Sequence, residues 1–421
     1  MPRAEVPHPD AGDPEGRNFR LNVAEGAVFL SGAALISSQT VVPALVARLG
    51  GSNLAVGAAG VIVWVGLFLP QIFAARYAQT LPWKKPWAIR FGLAERAAVV
   101  FLGVVVLLFG ERSPEAALWL FMGGFTLMQV LLGVTTPGWF DLFAKLIPPG
   151  RRGRAAGFRN SLGGLGGFLC GLVLMWLLVG FPFPLNYACA FFGAALLQII
   201  SILIQSRLVE REPSRTAPWK SSRAYARQLA EVLRENREYR TFLSASAWLV
   251  LAAIPAGFFT VYGIRRFGAG EGAVGGFTLT LVAAQVLSSA ANGVLADRAG
   301  NRVVVIGAAL SMLAANLWCL AAPSLEAFHA VFLFLGVFLG SDLMARYNMS
   351  IEYGPVEERS TYIGLMNTSL SPLFLLGLAG GWASDRFGFE PLFVCGAAAS
   401  LVGAALFAFR VRDPHHGRER E

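Results

Sequence analysis

The sequence predicts an all-α membrane protein with twelve transmembrane helices arranged as two six-helix bundles. Three observations support this fold class. Of the 421 residues, 55% are hydrophobic and only 14% are charged, whereas about a quarter of an ordinary soluble domain is charged. Apolar runs of about 20 residues, the length that crosses a bilayer, recur along the chain. Basic residues concentrate in alternate connections between these runs, as they do in membrane proteins of fixed orientation.

The apolar runs give six helices, a polar stretch and six more helices. Lipid offers no hydrogen-bond partner to the backbone, and the runs lack the two-residue alternation of barrel strands, so helices are the expected structure. The predicted helices, numbered 1 to 12, cover residues 21–47, 53–75, 87–110, 116–142, 156–180, 185–207, 241–264, 273–296, 303–322, 327–349, 361–383 and 390–410.

Polar segments divide the chain into five predicted parts. The first 20 residues mix proline, glycine and charge without the apolar core of a signal peptide, which predicts a disordered tail. Residues 221–242 repeat Ala, Leu and Val near helical spacing among charges, which predicts an amphipathic surface helix; a regulatory partner site is the alternative. The parts are a tail at 1–20, a bundle at 21–207, a linker at 208–240, a bundle at 241–410 and a tail at 411–421.

The distribution of basic residues predicts the orientation. Of the 35 Lys and Arg residues, 29 fall on the side of the two termini, 5 fall on the opposite side and Arg96 lies within helix 3. Basic residues concentrate in cytoplasmic loops, so both termini are expected in the cytoplasm and the protein in the cytoplasmic (inner) membrane. The net charge of +9 then reflects topology, and no nucleic-acid partner is expected.

Two short patterns suggest an internal repeat. The pattern R-x4-G-x2-N occurs before helix 5 and again before helix 11, with an offset of 207 residues, close to half the chain. We expect both copies in the equivalent cytoplasmic loop of their own half, as in transporters built from repeated bundles. The residues are Arg152, Gly157 and Asn160 in the first copy and Arg359, Gly364 and Asn367 in the second.

The loop after helix 8 has the sequence G-x3-D-R-x-G-x-R, formed by Gly293, Asp297, Arg298, Gly300 and Arg302. A loop this short forces an antiparallel hairpin, and glycine permits close helix approach and unusual backbone angles. An aspartate here can accept from a neighbouring helix N-terminus. The loop, the 6+6 division and the inward termini together resemble the major facilitator superfamily. The resemblance implies a secondary transporter in which helices 1, 4, 7 and 10 line a central cavity that opens alternately to each side, with this loop in gating.

The chain departs from that family's patterns in its first half. Gln79 and Thr80 stand where the first copy of the loop would have Asp and Arg. The region around Gly163 in helix 5 lacks the Gly-Pro element of drug/proton antiporters, and the interior of helix 4 has Gln129 in place of their arginine. The sequence therefore lacks the two features that would best support proton-coupled drug efflux.

Charged residues within the spans are the first candidates for a site, because burying a charge in lipid costs about 2.5 to 3.5 kcal/mol. Asp342 and Arg346 lie four apart in helix 10 and can pair, either to bind substrate or couple a proton, or as a local salt bridge. Glu25 in helix 1 can hold a proton or lie at the interface. Arg96 is a further candidate, and it and its neighbour Glu95 are expected to face different partners.

Neutral groups supplement this list. Gln39 precedes Pro43 in helix 1, where the missing N–H of proline can open the helix and expose polar groups. Gln129 and the asparagines of helices 9 and 11 either bind solute or bond between helices. Aromatic residues of helix 7 either stack on a solute or pack; they are Trp248, Phe258 and Tyr262.

Enzyme chemistry has little support in the sequence. There are four histidines, no HExxH motif and no Gly-x4-Gly-Lys-Ser/Thr phosphate loop, so neither a metal, nor ATP, nor another cofactor is expected. The expected partners are a small-molecule substrate, with a proton or sodium ion as the coupled ion, and membrane lipids, and the chain is expected to be a monomer. Efflux of amphipathic compounds or lipids and a non-transporting membrane receptor are the alternative functions.

Overall fold

The computed structural model describes residues 14–214, 231–354 and 359–412. Within these ranges the chain forms helices joined by short turns. Of the predicted surface helix at 221–242, residues 221–230 lie outside the described residues; 231–235 are helical, and from Arg237 on the range belongs to α7. Most of the two predicted tails also lies outside the described residues, but residues 14–20, expected to be disordered, form the start of α1. The all-α fold class is confirmed.

Twelve helices cross the fold within the part of the chain that the structure describes, and three of them are broken. Eleven are long and apolar enough to span a bilayer. The exception is the first, which is interrupted and begins with polar turns. The helices are α1 (Pro14–Leu35, then Val41–Arg48), α2 (Asn53–Thr80), α3 (Lys85–Phe109), α4 (Pro114–Leu146), α5 (Pro149–Gly180), α6 (Leu185–Ser206), α7 (Arg237–Ala253, then Ala256–Phe267), α8 (Gly272–Ala299), α9 (Asn301–Ala321), α10 (Leu325–Glu352), α11 (Arg359–Leu370, a 3₁₀ turn Ser371–Leu375, then Leu376–Phe387) and α12 (Glu390–Phe409).

The expected position of the repeat motif was wrong. Helix α5 begins at Pro149 and α11 at Arg359, so both copies of the motif lie in the first turns of a helix and not in a loop. Proline is well suited to the first turn because its missing N–H would be unpaired there anyway. The basic residues that follow Pro149 made the start of α5 look like a loop, although positions outside the hydrocarbon can be both polar and helical.

The break in α1 lies between Leu35 and Val41. The carbonyl of Ser37 accepts from the backbone N–H groups of Thr40, Val41 and Val42 at 3.3, 2.9 and 3.1 Å, which forms a tight turn. The segment Pro14–Leu35 packs on α5 and α6 of its own half, whereas Val41–Arg48 also contacts α7 and α8 of the other half. The two segments of α1 are therefore held by different bundles.

The two six-helix bundles meet along α2 with α11 and along α5 with α8. Glycines allow the closest approaches. A Cβ on Gly57 would lie 2.4 Å from the carbonyl oxygen of Gly377, and one on Gly381 would lie 2.5 Å from the carbonyl oxygen of Asn53. A Cβ on Gly275 of α8 would lie 2.4 Å from the Cα of Met175 in α5. The small residues let the helix backbones touch, as is usual for helix pairs in membranes.

Candidate transport cavity

A cavity of about 310 Å³ lies between the two bundles. Its walls come from Ser38 and Gln39 in the break of α1, from both segments of α7, and from α2, α8, α10 and α11. Helices 1, 7 and 10 contribute as the resemblance implied. Helix α4, which was also expected there, contributes no residue among those described around the cavity, and α2, α8 and α11 do instead.

Asp342 and Arg346 of α10 line this cavity and form an ion pair. Both are buried, with 4% and 7% of their surface exposed. Asp342 Oδ1 and Arg346 Nε have no hydrogen-bond partner among the described residues. A buried pair of charges is stable only when its remaining lone pairs and protons are also bonded. This pair is therefore incompletely satisfied at the wall of a cavity, which is a common property of binding sites.

Aromatic rings form another part of the wall. Trp64 of α2 stacks on Phe374 of α11, with ring centroids 5.1 Å apart and 16° between the planes. Phe68 lies one turn further along α2, 5.7 Å from Trp64 at 25°. Phe258 of α7 also lines the cavity. The rings come from both bundles, so the wall exists only while α2 and α11 are in contact.

Hydrogen bonds between the bundles cluster at the end where α1 joins α2, which we call the distal end because it lies opposite the termini. Thr40 Oγ1 of α1 is 2.6 Å from Thr278 Oγ1 of α8. Since Thr278 donates to the carbonyl of Val274, Thr40 is the donor in this bond. Thr260 of α7 donates to the carbonyl of Gln39 at 3.0 Å. These bonds close the cavity above the break in α1.

Charged residues reinforce this closure. Arg48 donates to Glu271 at 2.8 Å, and Asn186 donates to the other oxygen of the same carboxylate at 2.5 Å. Asp385, near the end of α11, accepts from the backbone N–H groups of Asn53 and Leu54 at 2.8 and 2.9 Å. These groups begin α2, where an unpaired N–H and the helix dipole both favour an anion.

The predicted gating loop lies at the opposite, proximal end. Asp297 and Arg298 are exposed, and a Cβ on Gly293 would meet nothing within 4 Å. Gly300 adopts φ 85° between α8 and α9, a left-handed angle that favours glycine. Arg302 donates to the carbonyls of Phe407 and Ala408 at the end of α12. Gly300 thus has the unusual backbone angle expected of this loop, while Gly293 makes no close approach.

A second group of buried charges lies inside the first bundle, beside a smaller cavity of about 180 Å³. Glu25 accepts from Arg159 of α5 at 2.7 Å and from Ser201 of α6 at 3.2 Å. Glu25 is therefore buried and paired, and since α1 begins earlier than expected, it lies about three turns into the helix. Arg96 belongs to this second cavity and not to the central one.

The expectation that Glu95 and Arg96 do not pair was also wrong. Their side chains form an ion pair within α3, and Arg96 also donates to the carbonyls of Gly92 and Gln198. Adjacent residues point to different helix faces, but two long side chains can bend toward each other when no closer partner is available. The prediction considered only the directions in which adjacent side chains leave the helix and neglected the length of these two side chains.

Other candidates are distributed between the cavity and the helix contacts. Gln39 and Asn367 line the central cavity. Gln129 is buried where α4 packs on Gly66 of α2, and Asn316 donates to the carbonyls of Ala252 and Met312. Of the α7 aromatics, Trp248 is exposed and Tyr262 packs on Phe393.

The motif residues have local roles where they are described. Arg152 donates to the carbonyls of Ile147 and Ala144 and so caps the end of α4, while Gly157 and Asn160 are exposed. Gly364 lies within the first segment of α11, and the side chain of Arg359 lies outside the described residues.

Several residues of this site were missed in the sequence. Trp64 and Phe374 are indistinguishable from lipid-facing aromatics without knowing the helix faces. Only Asp385 had a signal, because it lies in a G-x3-D-R pattern like that of the gating loop. That partial repeat indicated a second contact between the bundles.

Comparisons with known proteins agree with this architecture. Residues 265–421 match the family model described as Major Facilitator Superfamily. No curated protein matches the sequence. Among solved structures, a mutant of the nucleoside transporter NupG has a TM-score of 0.68 at 14% identity, covering 94% of this chain and 99% of its own. The D-xylose-proton symporter has a TM-score of 0.69 at 12% identity, covering 95% and 98%.

A third similar structure is a POT family transporter in complex with 5-aminolevulinic acid, with a TM-score of 0.70 at 10% identity, covering 95% of this chain and 96% of its own. At these identities the structures establish a shared fold. The family model covers the C-terminal part of the chain, and the fold extends over nearly all of it. The comparisons thus show a match to the Major Facilitator Superfamily model over residues 265–421 and, over nearly the whole chain, the same fold as these transporter structures.

Proposed function

We propose that the protein moves a small solute across the cytoplasmic membrane by alternating access, as a secondary active or facilitative transporter. In this proposal both termini are cytoplasmic, the chain acts as a monomer, and a proton or sodium gradient supplies the driving force where transport is active. The linker at 208–240 joins the two bundles on the cytoplasmic side.

The observation that supports the proposal is the cavity between the bundles and its closure at one end. Polar residues of the two halves join at the distal end, and the unsatisfied Asp342–Arg346 pair lies at the cavity wall. Rocking of the bundles that separates these distal contacts would expose the same cavity to the other side. The proposed state of this structure is therefore closed to the outside.

The roles of the site residues follow from this geometry. Asp342 and Arg346 contact the solute or couple its movement to a proton, with Gln39 and Asn367 as further polar contacts. Gly293, Asp297, Arg298, Gly300 and Arg302 form the gating loop of the opposite side. The second buried cluster around Glu25 and Arg96 belongs to the first bundle, and we propose that it holds helices α1, α3 and α5 in one rigid unit.

The similar structures support transport of small polar solutes in general. They include a nucleoside transporter and a D-xylose-proton symporter. Because the second of these is a proton symporter, proton coupling is the first mechanism to test. Efflux of amphipathic compounds is the second candidate function, because most side chains around the cavity are apolar.

The experiment combines a screen with two transport measurements. Purified protein is screened for thermal stabilisation by sugars, amino acids, organic acids, nucleosides and drugs, and each hit is then tested for uptake into proteoliposomes with and without a pH gradient. Independently, a single cysteine replacing Ser38 in the cavity is labelled by an impermeant maleimide from either side. Labelling from one side only, in all conditions and with all hits, would contradict alternating access.

Asp342→Asn is expected to reduce uptake of the identified solute at least tenfold, because it removes the charge that Arg346 neutralises. Glu238→Gln is the matched control. Glu238 also pairs with an arginine, Arg412, but both side chains are more than half exposed, and exposed pairs contribute little. Uptake and pH dependence that are the same in Asp342→Asn as in the unmodified protein would remove Asp342 from the mechanism.

A further inference from the structure

We infer that the central cavity is built for a neutral, planar ring compound whose edge carries a hydrogen-bond donor beside an acceptor. The inference rests on the proposed function, since it names the class of solute that the same cavity binds. Four properties of the cavity lead to it: charge balance, an aromatic wall, side-chain amides and size.

The charge balance excludes solutes with a net charge. Of the side chains that the structure describes around the cavity, only Asp342 and Arg346 are charged, and they neutralise each other. A cation or anion that entered would lose its hydration without meeting an unpaired opposite charge, which is costly in an apolar site. A neutral solute avoids this cost and leaves the pair intact.

The aromatic wall selects flat molecules. Trp64, Phe68 and Phe374 form one aromatic cluster at the wall: Trp64 lies at 16° to Phe374 and at 25° to Phe68, and Phe68 and Phe374 are 6.4 Å apart at 40°. A planar ring gains from contact with such a cluster, because aromatic pairs are favourable in both offset-stacked and edge-to-face arrangements. A sugar would offer polar edges to this wall and gain less.

The polar groups that remain are mainly amides. Gln39 from the break of α1 and Gln285 from α8 line the cavity, and their side-chain amides make no hydrogen bond within the described residues. Asn367 accepts from Tyr347 at 3.4 Å, which leaves its NH₂ group available. An amide offers a donor and an acceptor side by side. It therefore pairs best with an edge of the same kind, such as a carboxamide, a lactam or the edge of a nitrogen heterocycle.

The size of the cavity favours a compact solute. A volume of about 310 Å³ lies at the lower end of the range for small-molecule sites. One ring or two fused rings with a small substituent suit this volume.

Binding to the purified full chain tests the inference with matched pairs of compounds. Nicotinamide and uracil are neutral and planar with an amide-like edge. Nicotinate, orotate and the cation 1-methylnicotinamide retain the rings and add charge. Xylose and phenylalanine represent sugars and zwitterions. Tritiated compounds are titrated in a scintillation proximity assay, and we expect at least one neutral ring compound to bind at least tenfold more tightly than its charged analogue.

A pair of tryptophan variants tests the wall. Trp64→Leu is expected to weaken binding of the neutral compound about tenfold, the loss typical of one aromatic contact. Trp119→Leu is the control, because Trp119 lies on α4 with 68% of its surface exposed and does not line the cavity. Equal binding by Trp64→Leu and Trp119→Leu would overturn the assignment of the wall.

The remaining outcomes separate this inference from the proposed function. Xylose or phenylalanine taken up in preference to every ring compound would overturn the solute class and leave transport standing. Nicotinate that binds as tightly as nicotinamide would overturn the charge argument. If nothing in the panel binds while the cysteine at position 38 is still labelled alternately from both sides, the class is wrong and alternating access holds. If that labelling also fails to alternate, both proposals fall.

Discussion

Asp385 joins the two bundles through backbone groups and not through another side chain. Its carboxylate accepts from two consecutive N–H groups at the start of α2. Hydrogen bonds to a charged group contribute about 1.5 to 3 kcal/mol. Because the backbone donors belong to one bundle and the carboxylate to the other, this free energy is gained only while the distal end is closed.

We therefore expect Asp385→Asn to shift the protein toward opening at the distal end. A neutral amide has only one oxygen to accept from two N–H groups, so a loss of about 1.5 kcal/mol corresponds to roughly a tenfold shift in the population. The readout is the rate at which an impermeant maleimide labels a cysteine at position 38 from the distal side.

Glu115→Gln is the matched control for that experiment. Glu115 is an exposed acid in the first turn of α4, at the same end of the molecule. An increase of equal size in both variants would mean that surface charge in general, and not the Asp385 contact, controls opening.

At the level of elements, the contact between α2 and α11 depends on glycine. Gly57→Ala is expected to destabilise the protein by about 1 to 3 kcal/mol, because the added methyl would lie 2.4 Å from a backbone carbonyl that cannot move aside cheaply. The measurement is the thermal unfolding midpoint in detergent. Gly60→Ala, one turn along the same helix, is the control, since its methyl would meet nothing within 4 Å. Similar midpoints for both variants would contradict the close contact.

Most of the helices could be predicted from the sequence, because a run of apolar residues long enough for the bilayer has few alternatives to a helix. The starts of α1 and α5 were less predictable, since they were expected at residues 21 and 156 and lie at Pro14 and Pro149. Hydrophobicity marks only the apolar part of a helix, and polar residues such as Arg152 are equally compatible with helical structure before it.

The site was predictable only in part, for a different reason. Asp342 and Arg346 stand out because a charge in a span is rare and costly. Trp64 and Phe374 do not stand out, because aromatic residues are equally acceptable in lipid, in a helix contact and in a cavity. The face of α2 that turns inward depends on the glycine contacts between α2 and α11. These contacts form only in the folded protein, so the sequence of α2 alone does not reveal them.

For the whole molecule, alternating access requires the distal contacts to break in every cycle. Thr40 and Thr278 lie on different bundles with their hydroxyl oxygens 2.6 Å apart. A double replacement by cysteine, in a background without the four native cysteines, is expected to form a disulfide under copper phenanthroline. The cross-link should reduce transport at least tenfold, and dithiothreitol should restore it.

Two controls define this experiment. Each single cysteine variant should retain transport after oxidation, because it has no partner to bond. Full transport by the cross-linked double variant would show that the bundles do not need to separate at this point, which would exclude the rocking mechanism.

The interrupted first helix has a consequence for how such motion is accommodated. Its first segment, Pro14–Leu35, packs on its own bundle, and its second segment, Val41–Arg48, also contacts the other bundle. In the proposed rocking motion, a continuous helix would lose its contacts with one bundle as the bundles separate. The turn at Ser37, whose carbonyl accepts from three backbone N–H groups, would instead let the two segments change their relative orientation, so that each keeps its own contacts.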